Sequence, residues 1–188
     1  ILTHFYKTHN CGGCLQAYAL CEFLNSVGYD AEQIAYVQHS SHPDTKRFAK
    51  SRLMKVLQLA ELYRYCTSKV SKRLYRKAIA RRNLAVERFT ESTIKRSAQV
   101  YTADMLNTCT DYDIYITGSD QVWNPKWYER AYFLDFVPAG KKKISYAASI
   151  GQAALTAEQQ KVFKEQLSGF SAVSVREQDA VALLDGLS

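Results

Sequence analysis

The chain has 188 residues, 47% of them hydrophobic and 23% charged, with a formal net charge of +7. That is enough for one α/β domain with a real core, and the composition is too apolar for a disordered chain. No apolar run approaches the length of a bilayer-spanning helix, and no secretory signal opens the sequence.

The first residue is Ile1, not Met, and it already belongs to a predicted strand at 1–6, so a piece of a longer protein is expected. A helix is predicted at 13–27, with Ala17, Leu20, Phe23, Leu24 and Val27 on its apolar face and Gly28 as its stop. A strand follows at 31–37. Residues 44–100 are predicted to form a helical insertion outside the sheet. Phe48, Leu53, Val56, Leu57, Ala60 and Tyr63 make its first apolar face, and Val70, Leu74 and Ala78 a narrower second one. The strand–helix pattern resumes with strands at 113–117, 143–149 and 171–176. A helix at 157–167 opens on the capping box Thr156-x-x-Gln159. A last helix follows Glu177, with Val181 and Leu184 facing inward. Alternating strand and helix imply a parallel sheet with helices on both faces, a Rossmann-like α/β domain spanning 1–188.

Charge is uneven along this pattern. Between Asp44 and Arg96 stand 16 Lys or Arg against 4 Asp or Glu; the remainder holds 9 against 14. An acidic α/β body therefore carries a basic middle segment. Such a segment can face water, an anionic membrane surface or a nucleic acid; no reader motif accompanies the charge, so nucleic acid ranks last.

Two segments carry the chemistry. Residues 112–125 read Tyr-Asp-Ile-Tyr-Ile-Thr-Gly-Ser-Asp-Gln-Val-Trp-Asn-Pro: a short strand that breaks at Gly118 into a loop holding Ser119, Asp120, Gln121, Trp123 and Asn124. Open α/β sheets place ligands in such loops, past the C-terminal ends of strands. The second segment, Asn10-Cys11-Gly12-Gly13-Cys14-Leu15-Gln16-Ala17-Tyr18-Ala19-Leu20, opens a helix. Gly12 and Gly13 permit a tight turn and close approach of a ligand to the backbone. Ser149-Ile150-Gly151 and Arg176-Glu177 also follow predicted strands. In a parallel sheet all four loops emerge at one edge, so a site is expected there.

Together these segments resemble the polysaccharide pyruvyl transferase family. Further matches lie at Tyr132-Phe133-Leu134-Asp135-Phe136, at Lys142-Lys143-Ile144-Ser145-Tyr146-Ala147-Ala148-Ser149 and at Ser174-Val175-Arg176-Glu177, so the resemblance covers 1–38 and 111–187 in order. Cys11 stands where the family usually has an aromatic residue. The resemblance implies the first domain of a GT-B-like two-domain enzyme, the second domain lying beyond this chain and holding most of the donor site. It implies transfer of pyruvate from phosphoenolpyruvate to two sugar hydroxyls as a cyclic ketal, in cell-surface polysaccharide biosynthesis, with no cofactor and no metal. The fragment alone is expected to be inactive.

On that reading Asp120 orients or deprotonates an acceptor hydroxyl, with Ser119 and Gln121 as hydrogen-bond partners. Trp123 stacks on a sugar face unless it is core, Asn124 holds the loop, and Arg176 contacts an anion unless it pairs with Glu177. Gly12, Gly13, Gln16 and Ser149 complete the expected binding set. Of the histidines at 4, 9, 39 and 42, His9 beside the Gly-Gly turn stands nearest to the site, as a loop residue. Expected partners are a glycan or lipid-linked oligosaccharide acceptor, the second domain and an anionic membrane. The location would be cytoplasmic, peripheral on the inner membrane face. Two alternatives stay open: a non-catalytic glycan- or membrane-binding module, and a thiol oxidoreductase. The latter rests on the redox spacing Cys11-Gly-Gly-Cys14 at a helix N-terminus. Five cysteines, an odd number, fit a reducing compartment.

Overall fold

The computed structural model describes residues 1–38 and 75–185. The predicted helical faces from Phe48 to Tyr63 and at Val70 and Leu74 lie outside them. Four helices, α1 (Cys11–Ser26), α2 (Arg76–Thr93), α3 (Ala157–Leu167) and α4 (Gln178–Asp185), accompany the strands β1 (Gln33–Tyr36), β2 (Arg96–Tyr101), β3 (Ile114–Thr117) and β4 (Lys142–Ser145). Three 3₁₀ turns cover Ala103–Thr108, Pro125–Trp127 and Arg130–Phe133. The protein is mixed α/β, with short parallel strands.

The strands form two parallel pairs, β1 with β2 and β3 with β4. Ile1 and Leu2 lie between the pairs: the Ile34 amide donates to the Ile1 carbonyl at 2.7 Å, and the Leu2 amide donates to the Ile116 carbonyl at 2.8 Å. On the far side of β4, Ala172 and Val175 make isolated parallel bridges to Ile144 and Ala148. The predicted strands at 1–6 and 171–176 are thus reduced to bridges. After Leu2 the chain turns through residues 4–7, with Lys7 at φ 53°, and cannot continue extended.

One correction is larger. Residues 96–101 are not part of a helical insertion outside the sheet; they are β2. The Ser97 hydroxyl accepts the Ala35 amide at 2.9 Å, and Tyr101 is buried opposite Tyr36. The basic helix before it, α2, does form. It buries Val86 and Thr90 and packs on α1 through Phe89 against Tyr18, leaving Arg76, Lys77, Arg81, Arg82 and Arg88 exposed.

The turn expected at Gly12 and Gly13 is instead the first turn of α1, which starts at Cys11 because Asn10 caps it by accepting the Gly12 amide at 3.1 Å. The end of the helix before Gly28 is as expected. Its apolar face is rotated from the predicted one. Cys14, Ala17, Leu20 and Cys21 are buried, whereas Phe23 and Val27, at about 100° per residue off that stripe, are exposed. Both bonds of the Thr156–Gln159 capping box are made, at 3.2 and 2.8 Å. In α4 the buried residue is Ala180, with Leu183 and Leu184 partly packed beside it. Among the described residues no helix is long and apolar enough to cross a membrane.

The main core gathers around Trp123. Its indole stacks on Phe133 at 5.6 Å and 10°, and meets Phe163 and Phe170 edge-on. Trp123 therefore pins the loop after β3 to α3 and to the bridge segment after it.

Candidate functional site

The loop after β3 turns at Gly118, whose φ of +108° is open to glycine alone among common residues. A Cβ there would also stand 2.2 Å from the Tyr146 carbonyl oxygen. Gly13 is pressed as closely: a Cβ would lie 2.5 Å from the His4 carbonyl oxygen and 3.5 Å from Asp120 Oδ2. The start of α1, the residues after Leu2 and the Asp120 loop are therefore in direct contact. Gln16 fastens them. Its amide nitrogen donates to Thr3 Oγ1 at 2.8 Å, and its Oε1 accepts the Ser119 amide at 3.1 Å.

The other two loops lock onto the same place. The Ser149 amide donates to the Asp120 carbonyl at 2.9 Å, and the Trp123 amide to the Ser149 carbonyl at 3.2 Å. Glu177 Oε1 accepts from Ser149 Oγ, the Ile150 amide and the Gly151 amide at 2.8, 2.9 and 3.0 Å. Burial alone would raise the Glu177 carboxyl pKa, but these donors and neighbouring Arg176 outweigh it and hold the pKa below the ordinary value. Arg176 Nε lies 3.7 Å from Glu177 Oε2, an ion pair on the exposed side.

An open cleft of about 940 Å³ lies between the turn at 4–8, the Asp120 loop and the segment 125–129. Asp120 and Gln121 line it. Of the remaining predicted site residues, Gly13 and Gln16 with Ser119 hold the loop from behind and Ser149 and Arg176 engage Glu177, whereas Gly12 is exposed in the first turn of α1 and does not line the cleft. Asn124 is buried, caps the Pro125–Trp127 turn by accepting the Lys126 amide at 3.0 Å, and donates to Gln121 Oε1 at 3.1 Å. Trp123 is 1% exposed, and its indole N–H donates to the Tyr132 carbonyl at 3.0 Å. That burial corrects the expected sugar-stacking role, which needs an open ring face.

Asp120 is poised in the cleft wall. Its Oδ2 lies 3.7 Å from His4 Nδ1, and its Oδ1 accepts the Gln121 amide at 2.8 Å. Burial pushes its pKa up, yet His4, the Gln121 amide and the charge of Arg176 together pull it below the ordinary carboxylate range. The carboxylate is thus ionised at neutral pH. The histidine at the site is His4 and not His9, which instead meets Glu87 at 2.8 Å. His4 packs edge-on to Tyr132 at 4.4 Å, and its Nε2 is buried without a hydrogen-bond partner among the described residues.

Sequence reasoning missed Tyr36, Trp127, Tyr128, Glu129 and Tyr132, all of which line the cleft. Tyr36 ends β1 at the same edge as Thr117 ends β3, and Trp127-Tyr128 follows the Trp123-Asn124-Pro125 motif directly; both were readable signals. Burial, then the Glu129 charge, raises the Tyr36 pKa. Burial dominates at Tyr132 too, with Tyr36, Glu129 and Asp120 adding to it. Both phenols remain hydrogen-bond donors at neutral pH.

Cys11 and Cys14 are free thiols, Cys11 exposed and Cys14 buried. Cys14 Sγ faces the Phe5 carbonyl at 3.7 Å and accepts from Thr90 Oγ1 at 3.5 Å, so it lies in the α1–α2 packing instead of at an accessible redox centre.

No curated protein and no solved structure matched this chain. The family model for polysaccharide pyruvyl transferase matches residues 10–187, nearly the whole sequence and all four interlocked loops, and the chain belongs to that family.

Proposed function

We propose that this chain is the acceptor-side half of a polysaccharide pyruvyl transferase, moving pyruvate from phosphoenolpyruvate to two sugar hydroxyls as a cyclic ketal during cell-surface polysaccharide biosynthesis. The fold is read as a Rossmann-like first domain of a GT-B-like enzyme. The order β2, β1, Ile1–Leu2, β3, β4, Ala172–Val175, parallel at each bridged pair, supports that reading.

The observation that carries the acceptor-side assignment is the charge of the cleft. Asp120 and Glu129 line it, and Lys126 is the one Lys or Arg among its described lining residues. Phosphoenolpyruvate carries a phosphate and a carboxylate and calls for a cluster of cations. Neutral hydroxyls suit carboxylates and phenols.

In the proposed chemistry one acceptor hydroxyl adds to C2 of phosphoenolpyruvate while the methylene carbon gains a proton and becomes a methyl group. The second hydroxyl then displaces phosphate, which leaves with the remaining proton. The Asp120 carboxylate takes the proton from the attacking hydroxyl, and His4 holds it in place. No cofactor or metal takes part. The acceptor is a glycan or lipid-linked oligosaccharide at the cytoplasmic membrane face, and the exposed arginines of α2 would approach anionic lipid.

The test uses the protein as it is encoded, with phosphoenolpyruvate and a polysaccharide acceptor. Phosphate release matched by a new ketal methyl signal in the NMR spectrum is expected. Phosphate released to water without ketal would overturn the transfer reading. Tight binding of phosphoenolpyruvate to the 188-residue chain, displaced by acceptor, would overturn the acceptor-side assignment.

A further inference from the structure

The aromatic residues near the cleft divide by exposure. Trp123 is sealed in the core, but Trp127 and Tyr128 are 48% and 41% exposed, and both line the cleft. What sets these two rings apart from the other exposed aromatics of the described residues is that both line the cleft that holds Asp120. Their position is fixed from behind. Asn124 caps the turn that carries Trp127, and Tyr128 leans on buried Phe133 at 5.5 Å.

The polar groups around the rings narrow the ligand. Asp120 and Glu129 offer carboxylates. The Tyr36 hydroxyl on the cleft wall is buried beside the Glu129 carboxylate without a well-formed hydrogen bond among the described residues, so the two groups together present a donor and acceptors to the cleft. Among the described lining residues an anionic ligand would face two carboxylates with Lys126 as the one Lys or Arg to offset them. A wholly apolar one would leave those carboxylates and the phenol unmet. A pyranose satisfies both demands: its axial C–H bonds make an apolar face for an aromatic ring, and its hydroxyls donate and accept around the edge.

We propose that Trp127 and Tyr128 form the platform that holds a neutral pyranose ring of the acceptor, with Glu129 and the Tyr36 hydroxyl engaging its hydroxyl groups. The assignment rests on the acceptor-side reading and names the substrate class and the residues that select it. The ring would lie with neighbouring hydroxyls toward Asp120.

The two tryptophans of the chain make the test direct. Tryptophan emission is followed while the chain is titrated with methyl β-D-glucopyranoside, methyl β-D-galactopyranoside or methyl β-D-mannopyranoside, with adenosine and phosphoenolpyruvate as comparison probes. At least one glycoside should change the emission saturably. Trp127→Ala should abolish that change and weaken calorimetric binding roughly tenfold or more, as truncating an anchoring aromatic does. Trp127→Phe, which keeps a ring, should retain most of the affinity, and Tyr128→Ala should weaken it without lowering the melting temperature appreciably. The platform is refuted if no glycoside binds, if Trp127→Ala binds as tightly as the parent, or if only adenosine or phosphoenolpyruvate engages Trp127. Glycoside binding through Trp127, with no pyruvate transfer by the intact two-domain enzyme, would sustain the platform and remove the enzymatic reading. Transfer with unchanged acceptor KM in Trp127→Ala would do the reverse.

Discussion

Ser149 donates its hydroxyl to Glu177 Oε1 over 2.8 Å, tying the loop after β4 to the residue before α4. The same oxygen takes the Ile150 and Gly151 amides, so one carboxylate organises the floor behind the cleft. Ser149→Ala removes one charge-assisted bond at a buried position, and a loss of about 1.5–3 kcal/mol is expected. The folded pKa of Glu177 is depressed, so its stabilisation is complete above the ordinary glutamate pKa and is lost as pH falls through the depressed value. Thermal denaturation of the parent and of Glu177→Gln across the acid range checks this: the gap between them should narrow as pH falls.

Asp120→Asn keeps the size of the side chain and the oxygen that accepts the Gln121 amide, but removes the charge beside His4. In the intact two-domain enzyme, loss of a general base lowers rate by about 10²–10⁴-fold. Because the Asp120 pKa is depressed, the parent's rate should hold across neutral pH and fall only as pH drops through the value for Asp120, below the ordinary aspartate range. Phosphate release as a function of pH measures it. Full activity in Asp120→Asn would dismiss the base role.

What was legible in the sequence divides by range. The Thr156 capping box and the break at Gly118 depend on neighbours within a few residues, and each appears as read; the Asn10 cap, which starts the helix two residues ahead of the expected position, was not read. β2 was not legible, because it follows a basic helix without a turn signal and its partner β1 lies some sixty residues earlier. The common edge of the four loops followed from strand–helix alternation. The roles within it did not: burial of Trp123 depends on Phe163 and Phe170, forty or more residues away, and the choice of His4 over His9 depends on where the chain turns after Leu2.

Gly13 sets the distance between α1 and the His4 backbone. A methyl group there meets a backbone oxygen at 2.5 Å, which a side-chain rotation cannot relieve. Gly13→Ala should cost about 1–3 kcal/mol as overpacking and should move His4 away from Asp120. Gly12→Ala is the control, since its Cβ would meet only Asn10 Oδ1, at 3.5 Å. Equal melting temperatures for the two variants would refute the packing argument.

Arg76, Lys77, Arg81, Arg82 and Arg88 of α2 are exposed. Co-sedimentation with vesicles of anionic lipid should exceed that with neutral lipid and should weaken as salt rises, because exposed charges are screened within ~10 Å at 0.1 M. Replacing Arg76, Lys77, Arg81 and Arg82 with Gln should remove the difference. Equal binding to neutral and anionic vesicles would rule out the electrostatic contact.

The two tryptophans stand four residues apart and should respond oppositely to truncation. Trp123 is wedged among Phe133, Phe163 and Phe170, and its N–H is committed to the Tyr132 carbonyl. Trp123→Ala opens a cavity beneath the Asp120 loop and should destabilise the protein by about 3–5 kcal/mol. Trp127 is nearly half exposed, so Trp127→Ala should stay within about 0.5 kcal/mol of the parent. Chemical denaturation measures both, and the emission of the single-tryptophan variants separates them. Trp127→Ala should retain a protected, blue-shifted indole that moves to long wavelength only on unfolding. Trp123→Phe should emit at long wavelength from the outset. A Trp123→Ala protein as stable as the parent would return the indole to the surface and reopen its stacking on sugar.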